Sequence, residues 1–293
     1  MDGILLINKP YGVTSRDVVN SVSKILKTKK VGHTGTLDPI ATGVLVLCVG
    51  KYTKLADILT SEKKEYIAEA IFGLDSDTLD ITGNILKDEK FYLDKNEIIS
   101  KINKFKCVYE QEVPIYSAVK VNGKKLYEYA RENKKVILPS KRVEIYNIEV
   151  LNIDYIDNHV IVKFKALVSK GTYIRSLIRD IAISMNTCGI MKSLIRTKQG
   201  IFNIEDCINI FDLKDDKQLI NAYQYLNDYK KIIISNDELF KIKNGSIIYN
   251  KYDYNKIAFF DNNKKLIALY QEYEKDKSKL KPFKIIDNNW YGN

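Results

Sequence analysis

A loop rich in glycine and polar residues carries the side chains with the clearest chemical potential in this chain of 293 residues. It spans Gly32 to Gly43 (GHTGTLDPIATG) and lies between an expected helix and an expected buried strand. Such a composition is typical of a tight, exposed loop. The carboxylate of Asp38 either acts as a base or nucleophile or only caps a turn before Pro39. The loop does not match the GxxxxGK[ST] pattern of a phosphate-binding loop.

The remaining candidate ligands do not form a metal-binding pattern. The cysteines stand singly, without a CxxC pair or a histidine at ligand spacing: Cys48, Cys107, Cys188 and Cys207. This argues against structural zinc and against a disulfide framework. Asp75, Asp77 and Asp80 resemble the start of a calcium loop, but Leu86 occupies the twelfth position, where such a loop needs glutamate. We interpret this segment as a solvated turn and expect no metal.

Charge and composition favour an anionic partner, with nucleic acid first among the candidates. The formal net charge is +10, but only six of the 47 basic residues are arginines. A lysine bias from an AT-rich genome is therefore the alternative explanation. The longest apolar stretch, Ala41 to Val49, is too short to span a bilayer, and the first ten residues lack a secretory signal pattern. We expect a cytoplasmic protein.

The elements around the loop follow from hydrophobic periodicity and capping signals. A helix is expected after Thr14 or Ser15, supported by Asp17, and another after Asp94. A third helix is expected to begin near Thr172. Strands are expected at residues 4–7, 44–49, 66–72, 142–153 and 159–168. The order lacks a regular βαβ rhythm, which predicts an α+β fold with a largely antiparallel mixed sheet flanked by helices and loops.

The predicted secondary structure changes near residue 230. Short strands are expected at residues 232–234, 247–249, 257–260 and 266–270. We therefore divide the chain into a catalytic domain, residues 1–229, and a small β-rich module, residues 230–293. The module has 13 lysines and eight acidic residues, a net charge of +5. A chain ending near Tyr229 is expected to fold, to keep the full rate and to bind nucleic acid more weakly. The alternative is that the module is a structural cap with solvated lysines, and the shortened chain would then aggregate or bind with unchanged affinity.

The glycine-rich loop resembles the catalytic signature of the TruB family of tRNA pseudouridine synthases, GHTGTLDPxATGVL, in which only Ile40 occupies a variable position. The sequence departs from the family pattern at three positions: Val113 replaces a frequent proline, Val168 a frequent cysteine and Ile195 a frequent arginine. The missing arginine is expected to weaken one RNA contact. Five further blocks are similar to family motifs and occur in the same order along the chain as in the family. They are residues 7–10 with 12–15 (INKP, GVTS), 64–66 (KEY), 116–120 with 126–127 (YSAVK, LY), 169–177 (SKGTYIRSL) and 194–197 (LIRT).

The resemblance implies that Asp38, Tyr66 and Arg175 are the catalytic residues. Pseudouridine formation breaks the N1–C1′ bond, turns the uracil and rejoins it through C5, so no cofactor is needed. It requires an ionised carboxylate, which is assigned to Asp38. The guanidinium of Arg175 would favour that charged form, although a phosphate contact at a helix start is the alternative. Tyr66 is expected to stack on the uracil, since a phenol is a poor base near neutrality, or else to be a core tyrosine.

Four further residues are implied as contacts to the substrate RNA. His33 is expected to stack within the RNA-facing pocket, and Leu194 to pack against the target base. Lys9 and Lys64 are expected to contact phosphates. The alternatives are a structural histidine, an ordinary core leucine and solvated lysines.

The function implied by the resemblance is isomerisation of uridine-55 in the T-loop of tRNA, after extrusion of that uridine from its stack. The partner is then the T-arm of tRNA, and the enzyme is expected to be a monomer with a C-terminal PUA-like RNA-binding domain. Two alternatives stay open: a catalytic subunit guided by a separate RNA, and a non-catalytic RNA-binding protein. The opening motif near the first residue and the compact tail favour the stand-alone enzyme. Intact Asp38, Tyr66 and Arg175 weigh against the non-catalytic protein.

Overall fold

The computed structural model describes residues 1–60 and 63–287. In chain order, the described residues form these strands: β1 (Gly3–Lys9), β2 (Val31–His33), β3 (Thr42–Val49), β4 (Lys64–Phe72), β5 (Leu74–Ser76), β6 (Ile85–Asp88), β7 (Val108–Glu112), β8 (Lys120–Val121), β9 (Lys124–Lys125), β10 (Ser140–Ile156), β11 (His159–Val168), β12 (Gly189–Gln199), β13 (Phe202–Asn203), β14 (Ile208–Asn209), β15 (Lys230–Ile233), β16 (Ile248–Tyr249), β17 (Lys256–Phe260), β18 (Leu266–Tyr273) and β19 (Asp276–Ile285).

The α-helices of the same residues are α1 (Ser15–Ile25), α2 (Ala56–Thr60), α3 (Lys95–Asn103), α4 (Leu126–Arg131), α5 (Ile174–Ser184) and α6 (Asn236–Lys243). Short 3-10 helices occupy Gly50–Leu55, Ile204–Asp206, Ile210–Asp212, Asp216–Gln218 and Ala222–Gln224. Within residues 1–60 and 63–287, no helix is long and apolar enough to cross a membrane.

Ten strands form one large mixed sheet, in the order β14-β1-β3-β12-β4-β11-β10-β7, with β13 beside β12 and β2 beside β3. Most neighbours are antiparallel; β1–β14 and β3–β12 are the parallel pairs in this part of the chain. The predicted α+β class with a largely antiparallel mixed sheet is therefore confirmed.

Local signals in the sequence explain several element boundaries. Thr14 caps α1: its hydroxyl accepts the Asp17 amide at 3.1 Å, and the Asp17 carboxylate accepts the Thr14 amide at 2.9 Å. β4 alternates between buried and half-buried residues along its whole length, with Tyr66 on the buried side. The helix expected near Thr172 begins two residues later, at Ile174.

The main core anchors the glycine-rich loop. Apolar side chains of α3 and α5 pack on one face of the sheet, and Leu37, Ile40 and Ala41 from the loop are buried in the same cluster. The residues that flank Asp38 are thus held in the core, while the side chain of Asp38 itself stays 39% exposed. Burial of its neighbours fixes the position of the carboxylate.

The tail forms a second sheet in the order β15-β17-β18-β19-β16. The four predicted strands are present with shifted ends, but helix α6 and strand β19 were not predicted. The sheet does not stand apart, because Phe260, Leu266 and Ile286 share one apolar cluster with Ile4 and Val44 of the main sheet. The tail therefore covers part of the first domain's core.

This packing changes the expectation for a chain ending near Tyr229, which would expose the covered apolar surface. Exposing even three such side chains costs roughly 4–9 kcal/mol, comparable with the total stability of a domain, roughly 5–15 kcal/mol. We now expect the shortened chain to aggregate.

A milder change tests the same contact. Phe260→Ala removes a fully buried ring of the shared cluster, and we expect it to lower the free energy of unfolding by about 3–5 kcal/mol. Phe283→Ala is the matched control, because Phe283 is 43% exposed and its loss should cost less than about 1 kcal/mol. Denaturant titration of the full chain measures both, and equal effects would contradict a shared core.

Candidate active site

Asp38 and Arg175 form a two-point ion pair. The Nε of Arg175 lies 2.9 Å from Oδ2 of Asp38, and its Nη2 lies 3.2 Å from Oδ1. The side chain of Arg175 is 6% exposed and that of Asp38 is 39% exposed. The guanidinium therefore stands behind the carboxylate and leaves the latter open to a ligand. Paired N–H groups of this kind hold a carboxylate in one orientation and favour its charged form.

The other donors of Arg175 tie the pair to two more segments. Nη1 donates to the carbonyl oxygen of Thr78 at 2.9 Å, and Nη2 donates to that of Tyr116 at 3.0 Å. One guanidinium thus joins the loop of Asp38, the turn after β5 and the segment before β8. Its geometry depends on all three being in place.

The acidic turn after β5 is not the solvated turn that we expected. Asp80 is 5% exposed, and its Oδ1 accepts the hydroxyl of Thr78 at 2.9 Å and the amide of Thr82 at 3.0 Å. These bonds fix the turn that presents the Thr78 carbonyl to Arg175. The sequence pattern showed the carboxylates, but it did not show that strand ends enclose Asp80 and bury it.

Arg196 holds the glycine-rich loop through hydrogen bonds, a role that we did not predict. It is 1% exposed and donates to the carbonyl oxygens of Val44 at 2.7 Å, Gly35 at 3.2 Å and Thr36 at 3.3 Å. The close approach needs a glycine at position 43, where φ is +100° and a Cβ would lie 2.3 Å from the carbonyl oxygen of Arg196. The sequence places this arginine in the LIRT block, but we assigned it no role there.

The opening motif also holds the loop. The hydroxyl of Ser15 donates to the carbonyl oxygen of Leu37 at 3.2 Å and accepts the Leu37 amide at 2.9 Å. The amide of Gly12 donates to the carbonyl oxygen of Pro39 at 2.9 Å. The residues on both sides of Asp38 are therefore bonded to the first residue of α1 and to the segment just before it.

The prediction that Lys9 contacts RNA is wrong. Lys9 is 0% exposed, and its ammonium donates to the carbonyl oxygens of Val13 at 2.6 Å, Pro10 at 2.9 Å and Pro39 at 3.3 Å. Burial lowers the pKa of Lys9 to about 8, with Asp38 opposing that shift. Its three protons are used inside the protein, so Lys9 joins the opening motif to the glycine-rich loop.

A cleft of about 230 Å³ opens beside the ion pair. Among the predicted residues, Asp38, Tyr66, Lys64, Leu194 and Arg175 line it. Tyr66 is 6% exposed and Leu194 is 7% exposed, so each shows only an edge to the opening. The ammonium of Lys64 donates to the carbonyl oxygen of Thr60 at 3.1 Å. The structure thus brings together five of the seven predicted residues.

His33 lies at the end of β2 and does not line this cleft. Its Nδ1 is buried and has no hydrogen-bonding partner among the described residues. Burial, followed by the charges of Arg16 and Arg196, lowers the pKa of His33. A neutral ring near pH 7 suits stacking, which stays a prediction.

Besides Arg196, further cleft residues were missed although their motif was recognised. Tyr173 and Lys170 line the opening, and both belong to the SKGTYIRSL block from which only Arg175 was selected. Burial raises the pKa of Tyr173, so its phenol stays neutral. Within residues 1–60 and 63–287, no three His, Cys, Asp or Glu side chains lie close enough to hold a metal ion.

Comparison with known proteins agrees with this geometry. Residues 23–174 match the model of the TruB family pseudouridylate synthase N-terminal domain. A protein of Bacillus cytotoxicus named tRNA pseudouridine synthase B is 37% identical over 99% of this chain and 98% of its own length. A protein of the same name from Clostridium kluyveri is 44% identical over 84% of each chain.

Solved structures share the fold. The structure of an H/ACA RNP bound to a substrate RNA containing 2′-deoxyuridine aligns with a TM-score of 0.71 at 23% identity, covering 99% of this chain and 87% of that one. A Cbf5-Nop10-Gar1 complex aligns with a TM-score of 0.69 at 25% identity over the same shares. On the family model and the curated relatives, this chain belongs to the TruB family of pseudouridine synthases, enzymes that isomerise uridine to pseudouridine in tRNA.

Proposed function

We propose that this protein isomerises uridine-55 in the T-loop of tRNA, acting as a cytoplasmic monomer without a cofactor or metal and with Asp38 as its essential carboxylate. The proposal rests on the two-point ion pair of Asp38 and Arg175, which lies beside a cleft lined by Tyr66 and Leu194. The names of the relatives, tRNA pseudouridine synthase B, support tRNA as the substrate.

The chemistry suits a fixed, ionised carboxylate. The N1–C1′ bond of uridine must break, the uracil must turn in place, and C5 must bond to C1′ with loss of its proton. Asp38 offers a negative charge at the open end of the cleft, and Arg175 holds that charge without covering it. A carboxylate so placed serves as base or nucleophile beside the sugar and the uracil.

Uridine-55 must leave its stack to reach this cleft, which costs a few kcal/mol. Contacts with Tyr66 and Leu194 in the cleft offset that cost, with stacking worth roughly 1–3 kcal/mol per base. Lys64 and Lys170 add positive charge at the same opening for the flanking phosphates.

The tail is part of the same proposal as a PUA-like RNA-binding region, residues 230–293. Its net charge of +5 supports a phosphate-binding role. Because it also covers the core, the role has to be tested in the intact chain. The measurement is the salt dependence of tRNA binding after replacement of exposed tail lysines.

The proposal is tested by incubating the pure protein with an unmodified T-arm hairpin and mapping pseudouridine by carbodiimide-blocked primer extension. We expect one stop, at the position equivalent to uridine-55, without any added RNA. A requirement for a second RNA would favour the guided subunit, and stops elsewhere in the hairpin would reject uridine-55 as the target.

Variants at Tyr66 separate stacking from the hydroxyl group. Tyr66→Phe keeps the ring and should retain affinity for the hairpin, whereas Tyr66→Leu should weaken binding about 5- to 30-fold, as expected from roughly 1–2 kcal/mol of lost stacking. Tyr155→Leu is a control, because Tyr155 lies outside the cleft and is 44% exposed. Equal affinities of the two Tyr66 variants in a binding titration would reject stacking by this ring.

A further inference from the structure

We infer that Gln111 is a positioning residue for the reaction, acting through the start of helix α5 on Arg175. This inference rests on the proposed function and extends it to a residue outside the cleft. Gln111 lies in strand β7 and is 1% exposed, among the most buried polar side chains of the described chain. An uncharged amide in such a place needs several partners, and it has them.

The amide of Gln111 is bonded to both backbone polar groups of Tyr173. Its Oε1 accepts the Tyr173 N–H at 2.8 Å, and its Nε2 donates to the Tyr173 carbonyl oxygen at 3.2 Å. The Nε2 also donates to the hydroxyl oxygen of Tyr109 at 2.7 Å. Only an amide side chain offers one acceptor and two donors in this arrangement, so glutamate, methionine and leucine cannot replace it.

Helix α5 needs this outside support. Its N-cap residue is Tyr173, which makes no side-chain capping bond. The first N–H groups of a helix lack partners within the helix, and most helices satisfy some of them with a capping Ser, Thr, Asp or Asn. Here Gln111, from a strand 62 residues earlier in the chain, fixes the cap residue instead.

The cap residue sets the position of the guanidinium. Arg175 is the second residue of α5, so its Cα follows the cap by little more than half a turn. Its two bonds to Asp38 have N–O distances of 2.9 and 3.2 Å. The further bonds to Thr78 and Tyr116 leave the guanidinium little freedom to move. A shift of the cap would therefore be transmitted to the carboxylate, and a misplacement of about 1 Å can cost a hundredfold in rate.

A purely structural role for Gln111 is the competing explanation. Through Tyr109, its Nε2 belongs to a second chain of bonds, in which the Tyr109 hydroxyl donates to Oδ2 of Asp180 at 3.3 Å. Burial and the negative charge of Asp180 raise the pKa of Tyr109, so the hydroxyl keeps its proton. Loss of this second chain alone would affect the stability of the α5–β7 contact and not the rate.

The experiment is a double-mutant cycle on single-turnover rates with unmodified tRNA. Gln111→Met keeps the volume and removes all three bonds; we expect a rate loss of about 10- to 100-fold with unchanged tRNA affinity. In the Arg175→Lys background the same change should cost less than about twofold, because its target is already lost. Gln111→Glu keeps the acceptor alone and should fall between the wild type and Gln111→Met.

The matched control is Tyr109→Phe, which removes the second chain but leaves both bonds to Tyr173; its rate should stay within about twofold of the wild type. Circular dichroism gives the folded fraction, and rates are corrected for it. If Gln111→Met does not fold, Gln111→Glu takes its place in the cycle. A folded variant with the wild-type rate, equal losses in both backgrounds, or a loss confined to affinity would overturn the inference.

Failure of the inference can be told apart from failure of the proposed function. The wild type is assayed in parallel, and no pseudouridine at position 55 would reject the proposed target. The role of Gln111 is judged only by variant-to-wild-type ratios at whichever tRNA uridine the protein modifies.

Discussion

Asp38→Asn is expected to lower the single-turnover rate of isomerisation by about 10³-fold or more. Asparagine has nearly the same shape but carries neither a negative charge nor a basic oxygen. The fold should persist, because the backbone bond from the Ala41 amide to the Asp38 carbonyl oxygen does not involve the side chain. Arg175 also retains its bonds to Thr78 and Tyr116. Affinity for tRNA should be unchanged or slightly higher, since a negative charge leaves an RNA-facing surface.

The control for this change is Asp157→Asn. It alters the net charge equally, and Asp157 is an exposed turn residue with φ of 51°, a conformation that asparagine tolerates. We expect the wild-type rate for the control. An Asp38→Asn protein that reacts at more than a small fraction of the wild-type rate would remove Asp38 from the catalytic role.

Arg175→Lys is expected to reduce the rate by about 10²-fold, although the positive charge is kept. A lysine presents one nitrogen and cannot reproduce the fork to both oxygens of Asp38. Nor can it hold the carbonyl oxygens of Thr78 and Tyr116 at the same time. The carboxylate and both neighbouring segments would lose their common partner. Near-ultraviolet circular dichroism of the tyrosines shows whether the variant is folded, and single-turnover kinetics then measure the loss of rate in the folded protein.

Arg179→Lys provides the comparison for this substitution. Arg179 lies one helical turn further along α5, is 20% exposed, and pairs with Glu112 and Asp180. Arg179 does not line the cleft, and lysine keeps its charge, so the rate should stay near the wild type. Equal losses in the two variants would mean that Arg175 matters only as a helix residue, and a wild-type rate for Arg175→Lys would mean that it acts only as a point charge.

The sequence predicted those features that depend on neighbouring residues. The capping box of Thr14 and Asp17 and the alternation of β4 are local patterns, and both are present in the structure. The motifs also selected five residues that line one cleft. Each of these predictions needed only a short segment and a known spacing.

Features that depend on strand neighbours escaped prediction. Arg196 contacts the glycine-rich loop because β12 runs parallel to β3, and Arg196 and Val44 are more than 150 residues apart in the chain. Lys9 is buried and donates to the carbonyl oxygen of Pro39 in the glycine-rich loop, 30 residues further along the chain, a contact that composition does not reveal. The tail looked separate for the same reason: Phe260 meets Ile4 only through the tertiary fold.

We propose that this chain forms pseudouridine in tRNA at the Asp38–Arg175 cleft. The most direct test is tritium release from tRNA transcribed with [5-³H]uridine, because the new C5–C1′ bond expels the hydrogen at C5. We expect the wild type to release one tritium per tRNA, and no release from a transcript with cytidine at position 55 or with the Asp38→Asn protein. Continued release from the cytidine-55 transcript, or by the Asp38→Asn protein, would contradict the account.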